Sequence, residues 1–425
     1  MIRGVTLVLN RWFCRLRREP GGPFKIVLVL AVAGLVTGAA PPGLTTRAAH
    51  DKVASEVLVT AFSPGRGGPL GLSGAAPQVH ATGNGLVTSS GAPVVLHGVD
   101  RSGSEYMCVD GYGIFDGPSD QASIAAMKTW DINAVRVPLN EACWNGESYV
   151  ERAYRGSRYQ HAIEAYVRLL NANGLVVILD LHWSDGAYLG PDAGCSSAHA
   201  TCQKPMPDRG AIRFWSSVSR AFSGNDAVIF DLFNEPFPEL ADQGDEAEGW
   251  HCWRYGGQAC VGLGYRAAGM QSLVAAVRST GATNVIMLGG LNWANDLTRW
   301  LAHEPHDPLH DLAASWHSYN FNPCDNQSCW QTQIAPVIAK VPVITGELGQ
   351  SGCNDSYINS LMLWLDTESA SYLAWTWDTW RDACSTGPTL ITTYGGHPTP
   401  YGAGYRSHLL TLASAGLESH RRMAP

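Results

Sequence analysis

Residues Val228–Phe237 read VIFDLFNEPF. Five of the first six are large and apolar, the pattern of a strand covered on both faces. The run then stops at Asn234-Glu235-Pro236. A carboxylate delivered at the tip of a buried strand is costly unless something uses it. The fold therefore has to put that tip where chemistry happens.

Outward from this stretch, short apolar runs alternate with amphipathic segments. The runs are Val94–Val99, Ala134–Pro138, Leu175–Leu181, Val228–Phe233, Val285–Leu288, Ala314–Tyr319, Val341–Thr345 and Tyr372–Trp377. Between them lie helical patterns such as Tyr159–Asn173, closed by Gly174, and Ala211–Phe222, Tyr265–Ser279 and Ile358–Thr367. Eight strands with crossover helices predict an α/β fold, a single (β/α)8 barrel. GLVTSSGAPVVLHGVD (85–100) reads as a strand, a turn and a second strand, an N-terminal β-hairpin closing the barrel bottom. A doubly wound open sheet is the alternative, but no Gly-rich G-x-G-x-x-G turn follows the first strand. No internal repeat or second domain is visible.

The N-terminal region differs in kind. Six basic residues between Arg3 and Lys25 precede the apolar run IVLVLAVAGLVTGAA (26–40). Residues 1–40 are expected to be a secretory signal peptide, with an uncleaved signal anchor as the alternative. Residues 41–79, rich in Gly, Pro, Ala and Ser, read as a flexible leader; 80–415 is the folded domain and 416–425 a C-terminal tail. Without 1–40, 23 basic residues face 36 acidic ones, a formal charge of −13. That balance, without basic runs, excludes nucleic acid and an anionic membrane as natural partners of the mature form. Nothing suggests more than a monomer. Eleven cysteines fall to ten once Cys14 is removed. They fall into sequential couples: Cys108 with Cys143, Cys195 with Cys202, Cys252 with Cys260, Cys324 with Cys329, and Cys353 with Cys384. These are expected as five disulfides of a secreted, extracellular protein. Zinc is the competing reading, but no C-x-x-C occurs.

In such a barrel the active site lies at the C-terminal strand ends. Those ends carry Arg136 and Asn140, His182 and Trp183, Asn234 and Glu235, Trp293, His317 and Tyr319, Glu347, and Trp375 and Trp377. Glu235 and Glu347 thus emerge from strands 4 and 7, across the mouth from one another. Glycoside cleavage needs such a pair: carboxyls about 5–5.5 Å apart let one attack the anomeric carbon while the other protonates the leaving oxygen. Arg136 and the Tyr319 hydroxyl could support a charged Glu347, while apolar walls could keep Glu235 protonated. Taken singly, each residue also has a plainer reading. Glu235 could form a structural ion pair with Arg136, the histidines could be satisfied core groups, and Trp375 could be packing.

The ordered set VRVPLN, DLHW, FNEP, WHSYNF, TGELG and AWTW resembles glycoside hydrolase family 5, the cellulase family, over roughly residues 82–412. The resemblance implies retaining hydrolysis of β-linked glycans, with Glu235 as acid/base and Glu347 as nucleophile. Arg136 and Tyr319 would support the nucleophile, Asn234 would contact the sugar 2-hydroxyl, His182 and His317 would line the reacting subsite, and Trp375 would stack beneath the sugar. No metal or organic cofactor is implied.

Trp144, Trp183, Trp250, Trp253, Trp293, Trp377 and Trp380 fall in or beside loops on the catalytic face, and indole is a natural floor for sugar rings. About half are expected to serve packing instead. Several platforms favour an internally cleaving enzyme on a polysaccharide or oligosaccharide, β-1,4-glucan first and β-mannan second. An exo-acting glycosidase or a non-catalytic carbohydrate-binding barrel are the alternatives. A serine esterase is disfavoured because no G-x-S-x-G elbow appears.

Overall fold

The computed structural model describes residues 74–186, 188, 203–241 and 245–423, with the backbone alone at 241 and 416–423. The expected signal peptide and most of the expected leader lie outside the described residues. Among the described residues no helix is long and apolar enough to cross a membrane.

Eight parallel strands close a barrel: β1 (His97–Asp100), β2 (Ala134–Asn140), β3 (Val176–Trp183), β4 (Val228–Asp231), β5 (Ile286–Gly289), β6 (Leu312–Tyr319), β7 (Val343–Gly349) and β8 (Ser371–Ala374). β8 pairs with both β7 and β1, which leaves no edge. Each expected run became a strand, with shifted ends. β7 runs four residues past its expected end and so carries Glu347 within the ladder. β8 stops at Ala374: the Thr376 amide donates to the Pro388 carbonyl, outside the barrel, and only the Trp377 amide reaches back to Asp100 at the end of β1. The expected helix from Tyr265 begins only at Met270. The Tyr265 hydroxyl is bonded to both the amide and the carbonyl of Met206, so this stretch anchors a loop.

Strand parity divides the apolar residues into two cores. On β3, Val177, Leu179 and Leu181 face the helices. Val176 and Ile178 face the barrel axis, and there they meet Ala134, Ile229, Met287, Ala313, Ile344 and Leu373. Val79 and Leu86 complete this inner cluster from below. They belong to a small antiparallel sheet of Val79–Thr82, Gly85–Thr88 and Pro93–Val94. The expected hairpin is thus three-stranded: its second strand breaks after Val94 and resumes at His97 as β1. Backbone bonds from Val79 to Asp226 and from Ala81 to the Asp311 side chain seat it at the entrances of β4 and β6.

Four of the five expected disulfides are formed among the described residues: Cys108–Cys143, Cys252–Cys260, Cys324–Cys329 and Cys353–Cys384. For these eight cysteines the choice between disulfide and zinc falls to disulfide. The fifth expected bridge, between Cys195 and Cys202, is not among the four. Both Cys195 and Cys202 lie outside the described residues, so that pairing stays an expectation from the sequence. All four observed bridges join segments that follow strand C-termini, so they staple the mouth of the barrel.

One irregularity aims the second glutamate. Ser315 pairs with Ile344 and Trp316 with Thr345, but His317 pairs with Glu347. Gly346 is the extra residue, and the bulge turns Glu347 inward where strict alternation from Ile344 would turn it out. A Cβ at position 346 would stand 2.9 Å from Met287 Cε, 3.0 Å from Ser315 Oγ and 3.1 Å from His317 Nε2. Gly346→Ala is therefore expected to cost about 1–3 kcal/mol of stability by overpacking and to displace His317. Thermal unfolding combined with turnover checks this; wild-type values in both would contradict the steric account.

Candidate active site

Arg136, inward on β2 and fully buried, is the hub. Its Nη1 donates to Asp100 Oδ1 at 3.0 Å and to Glu347 Oε1 at 2.9 Å. Nε and Nη2 reach Asp231 Oδ2 at 3.1 and 3.0 Å, and Nη2 also reaches Asn234 Oδ1 at 2.8 Å and Asp180 Oδ2 at 3.1 Å. One cation thus serves four buried carboxyl groups. Burial, offset in part by the guanidinium, pushes Asp100 and Asp231 well above the usual carboxylate range and Asp180 to about 7. One oxygen of each aspartate is buried without a hydrogen-bond partner, which fits carboxyls relieved of charge by protonation.

The second oxygen of Glu347, Oε2, accepts the Tyr319 hydroxyl at 2.6 Å. Glu235, at the end of the FNEP turn, is held differently: its Oε1 lies 3.0 Å from His317 Nδ1. That nitrogen is 3.7 Å from Glu347 Oε2. Burial first, then the charge of Glu347, pushes Glu235 well above the ordinary carboxyl range. His317 is pushed well below its usual value by burial and the Arg136 charge, so it stays neutral. Such a bond serves both states of Glu235: imidazole Nδ1–H can donate to the carboxylate, or the acid can donate to Nδ1. An oxygen of Glu235, a His317 nitrogen and an oxygen of Glu347 all lie within 4.8 Å of one another. These three could share a metal ion by distance alone. However, both Glu347 oxygens already accept hydrogen bonds, and the Arg136 cation at 2.9 Å opposes a second positive charge there.

His182, pushed down to about 3 by burial, bonds through Nδ1 to Asp180 Oδ2 at 2.6 Å and faces Trp375 ring to ring at 5.4 Å. Asn234 Nδ2 lies 3.4 Å from His182 Nε2 and 3.3 Å from Gln203 Oε1. Arg136, His182, Asn234, Glu235, His317, Tyr319, Glu347 and Trp375 therefore meet in one cluster. Glu235 is not the carboxyl that pairs with Arg136; the ion pair goes to Glu347 and the aspartates.

The tryptophans divide. Trp183, Trp293 and Trp380 are partly exposed at the mouth, near Tyr106, Phe237 and Trp375 respectively. Trp377, expected to touch substrate, is instead fully buried, edge-on to Trp130 at 4.9 Å. Trp144, Trp250 and Trp253 are buried as well. Sequence reading passed over Asp100, Asp180 and Asp231, although Asp180 sits two residues before His182 and so shares its face. It also passed over Gln203, whose Nε2 donates to the Glu235 carbonyl at 2.7 Å. No periodic signal marks that loop residue.

Arg136→Met would strand four buried carboxyl groups without their shared cation. A loss of about 3–5 kcal/mol is expected in denaturant unfolding; a change below about 1 kcal/mol would contradict the hub.

The model of the cellulase family (glycosyl hydrolase family 5) matches residues 87–380. Similar solved structures include a β-glucanase from Saccharophagus degradans in complex with cellotetraose, 19% identical, with TM-score 0.60, covering 83% of this chain and 98% of that one. A β-mannanase from Thermomonospora fusca is 17% identical, with TM-score 0.54 and coverage of 78% and 97%. The catalytic domain of a mannanase from Streptomyces sp. SirexAA-E is 20% identical, with TM-score 0.55 and coverage of 80% and 92%. These likenesses establish the barrel fold, and the family match spans well over half of the chain. The chain belongs to glycoside hydrolase family 5 and is a glycosidase.

Proposed function

We propose that this glycosidase is an endo-acting, retaining hydrolase of β-1,4-linked glycan, with Glu347 as nucleophile and Glu235 as acid/base. The observation that carries the reading is the short separation of the two carboxyls, with an oxygen of each within 4.8 Å. Such closeness supports the spacing of a retaining pair rather than the wider one that admits the interposed water of an inverting enzyme. Glu347, fixed by Arg136 and Tyr319, attacks the anomeric carbon. The glycosidic C–O bond breaks, and the Glu235 proton passes to the leaving oxygen. Glu235, now a carboxylate, takes a proton from water, and the resulting hydroxide displaces Glu347 to release a sugar of unchanged configuration. Trp375 forms the floor for the reacting sugar, His182 and His317 line its edge, and Asn234 faces its 2-hydroxyl.

Partly exposed indoles on both flanks of the pair, Trp183 with Trp380 and Trp293, support binding within a polymer rather than at its end. β-1,4-Glucan is the first substrate. β-Mannan is the second, because mannanases stand among the similar structures. The four mouth disulfides support an exported form, in which Cys195 and Cys202 would form a fifth bridge; we take that form to be a monomer without residues 1–40.

The product profile on cellulose, glucomannan, mannan, xylan and β-1,3-glucan tests the substrate. Short oligomers from cellulose or glucomannan are expected, and products from xylan or β-1,3-glucan alone would refute it. Because Glu235 must hold its proton and its pKa is raised, kcat/KM should persist above the ordinary glutamate value of about 4.3 and fall as pH rises through the shifted one. A basic limb at that ordinary value would contradict the assignment. Azide separates the two roles. With Glu347→Gly it should attack an activated β-glycoside once and give the α-glycosyl azide; with Glu235→Ala it should intercept the glycosyl-enzyme and give the β-azide. The reverse stereochemistry would exchange the roles.

A further inference from the structure

Glu235 stands beyond the end of β4 at Asp231, past the ladder bonds that fix the strand. A carboxyl that must meet one atom of a substrate needs its backbone fixed by other means. The segment after β3 supplies them. Phe237 donates its amide to the Pro205 carbonyl at 2.9 Å, and Gln203 Nε2 donates to the Glu235 carbonyl at 2.7 Å. That segment is itself fastened. Buried Lys204 reaches Asp208 Oδ2 at 2.7 Å and the Asp185 carbonyl, and its ammonium lies 5.0 Å from the centre of the Tyr265 ring. The Tyr265 hydroxyl holds Met206, and Pro207 accepts the Ala268 amide at 2.8 Å.

The hydrogen bonds through Gln203 have a forced direction. A guanidinium only donates, so Asn234 presents Oδ1 to Arg136 Nη2 at 2.8 Å and turns Nδ2 away. Nδ2 then lies 3.3 Å from Gln203 Oε1 and 3.4 Å from His182 Nε2. A peptide carbonyl only accepts, so the other end of the carboxamide, Nε2, is the one that meets Glu235. Arg136 Nη1 also holds Glu347 Oε1 at 2.9 Å. One unbroken path therefore runs from the first glutamate through Arg136, Asn234 and Gln203 to the peptide of the second. The Gln203 side chain reaches the Glu235 carboxyl as well. A donor there favours the charged form, against burial and the charge of Glu347, which act more strongly the other way.

We propose that Gln203 is a positioning residue for the acid/base: its carboxamide joins Asn234 to Glu235, holds the Glu235 peptide in line with the nucleophile, and offers a donor to the Glu235 carboxylate once its proton has left. This rests on Glu235 being the proton donor. Glu235 gives its proton to the leaving oxygen, stays a carboxylate for the life of the glycosyl-enzyme, and regains a proton from the attacking water. Gln203 gives and takes none; it steadies the middle state.

The titratable and charged groups that face Glu235 are Glu347 from β7, Arg136 from β2, Asp180 from β3, and His317 and Tyr319 from β6. Gln203→Met and Gln203→Glu leave all of them in place. The first keeps the length of the side chain and removes both hydrogen-bonding ends. The second keeps an acceptor for Asn234, loses the donor and adds a like charge. The test measures kcat/KM against pH on a tetrasaccharide (cellotetraose or mannotetraose, whichever the wild type cleaves) and on the matching dinitrophenyl glycobioside, whose leaving group departs without a proton. Without the donor the charged form of Glu235 loses support, so Glu235 keeps its proton to higher pH and the basic limb moves upward, at least as far in Gln203→Glu as in Gln203→Met. At the wild-type optimum the ratio of tetrasaccharide to dinitrophenyl glycobioside should fall by about tenfold in both variants. A basic limb that stays in place or moves down, or an equal loss on both substrates, is what a merely structural glutamine gives; either overturns the proposal and leaves the hydrolase reading intact. If Gln203→Met does not fold, Gln203→Glu decides by the same two readouts. A wild type idle on both substrates overturns the hydrolase reading itself and the proposal with it.

Discussion

A single guanidinium inside the barrel organises everything around it. Arg136 is fully buried, and its donors reach Asp100, Asp180, Asp231, Asn234 and Glu347. A planar fork of five N–H groups can hold several oxygens in fixed directions, which an ammonium at the same place could not. The charge count is uneven, and burial pushes the pKa of Asp100, Asp180 and Asp231 upward against the pull of the one guanidinium. This difference also separates the two glutamates. Glu347 receives the guanidinium and a phenol hydroxyl, while Glu235 faces a neutral imidazole and the charge of its partner. Two identical side chains thereby receive different partners a few ångströms apart, and burial with the charge of Glu347 pushes Glu235 well above the ordinary carboxyl range.

Backbone register delivers them to that environment. Period-two alternation fixes which strand residues face the axis, and it places Arg136, Asp180, His182, His317 and Tyr319 inward without further help. Glu347 needs the bulge at Gly346, and Glu235 needs the FNEP turn beyond the end of β4. The bulge residue is glycine because Met287, Ser315 and His317 leave no space for a methyl group.

This is also the division between what was legible in the sequence and what was not. Apolar runs and polar tips name the barrel and most of the cluster, because alternation is a local property of the chain. Two bridges are local in the same sense, joining cysteines 8 and 5 residues apart, and the other two, 35 and 31 apart, were legible from the order of the cysteines along the chain, while the couple of Cys195 and Cys202 falls outside the described residues. The three-stranded plug, the break after Val94 and the burial of Trp377 depend on contacts between distant segments, such as Trp130 with Trp377. Gln203 lies in a loop, where side-chain partners rather than periodicity set the conformation. Trp377 illustrates the limit: an aromatic beside a strand tip looks the same in sequence whether it meets a sugar or another indole.

The central claim is that Glu347, held by Arg136 and Tyr319, is the group that becomes bonded to the sugar. The direct measurement is trapping with a 2-deoxy-2-fluoro glycosyl fluoride of the cleaved glycan, followed by peptide mass mapping. The account predicts one glycosyl unit per protein, attached at Glu347. A label on Glu235, or continued turnover with no label on any residue, would contradict it.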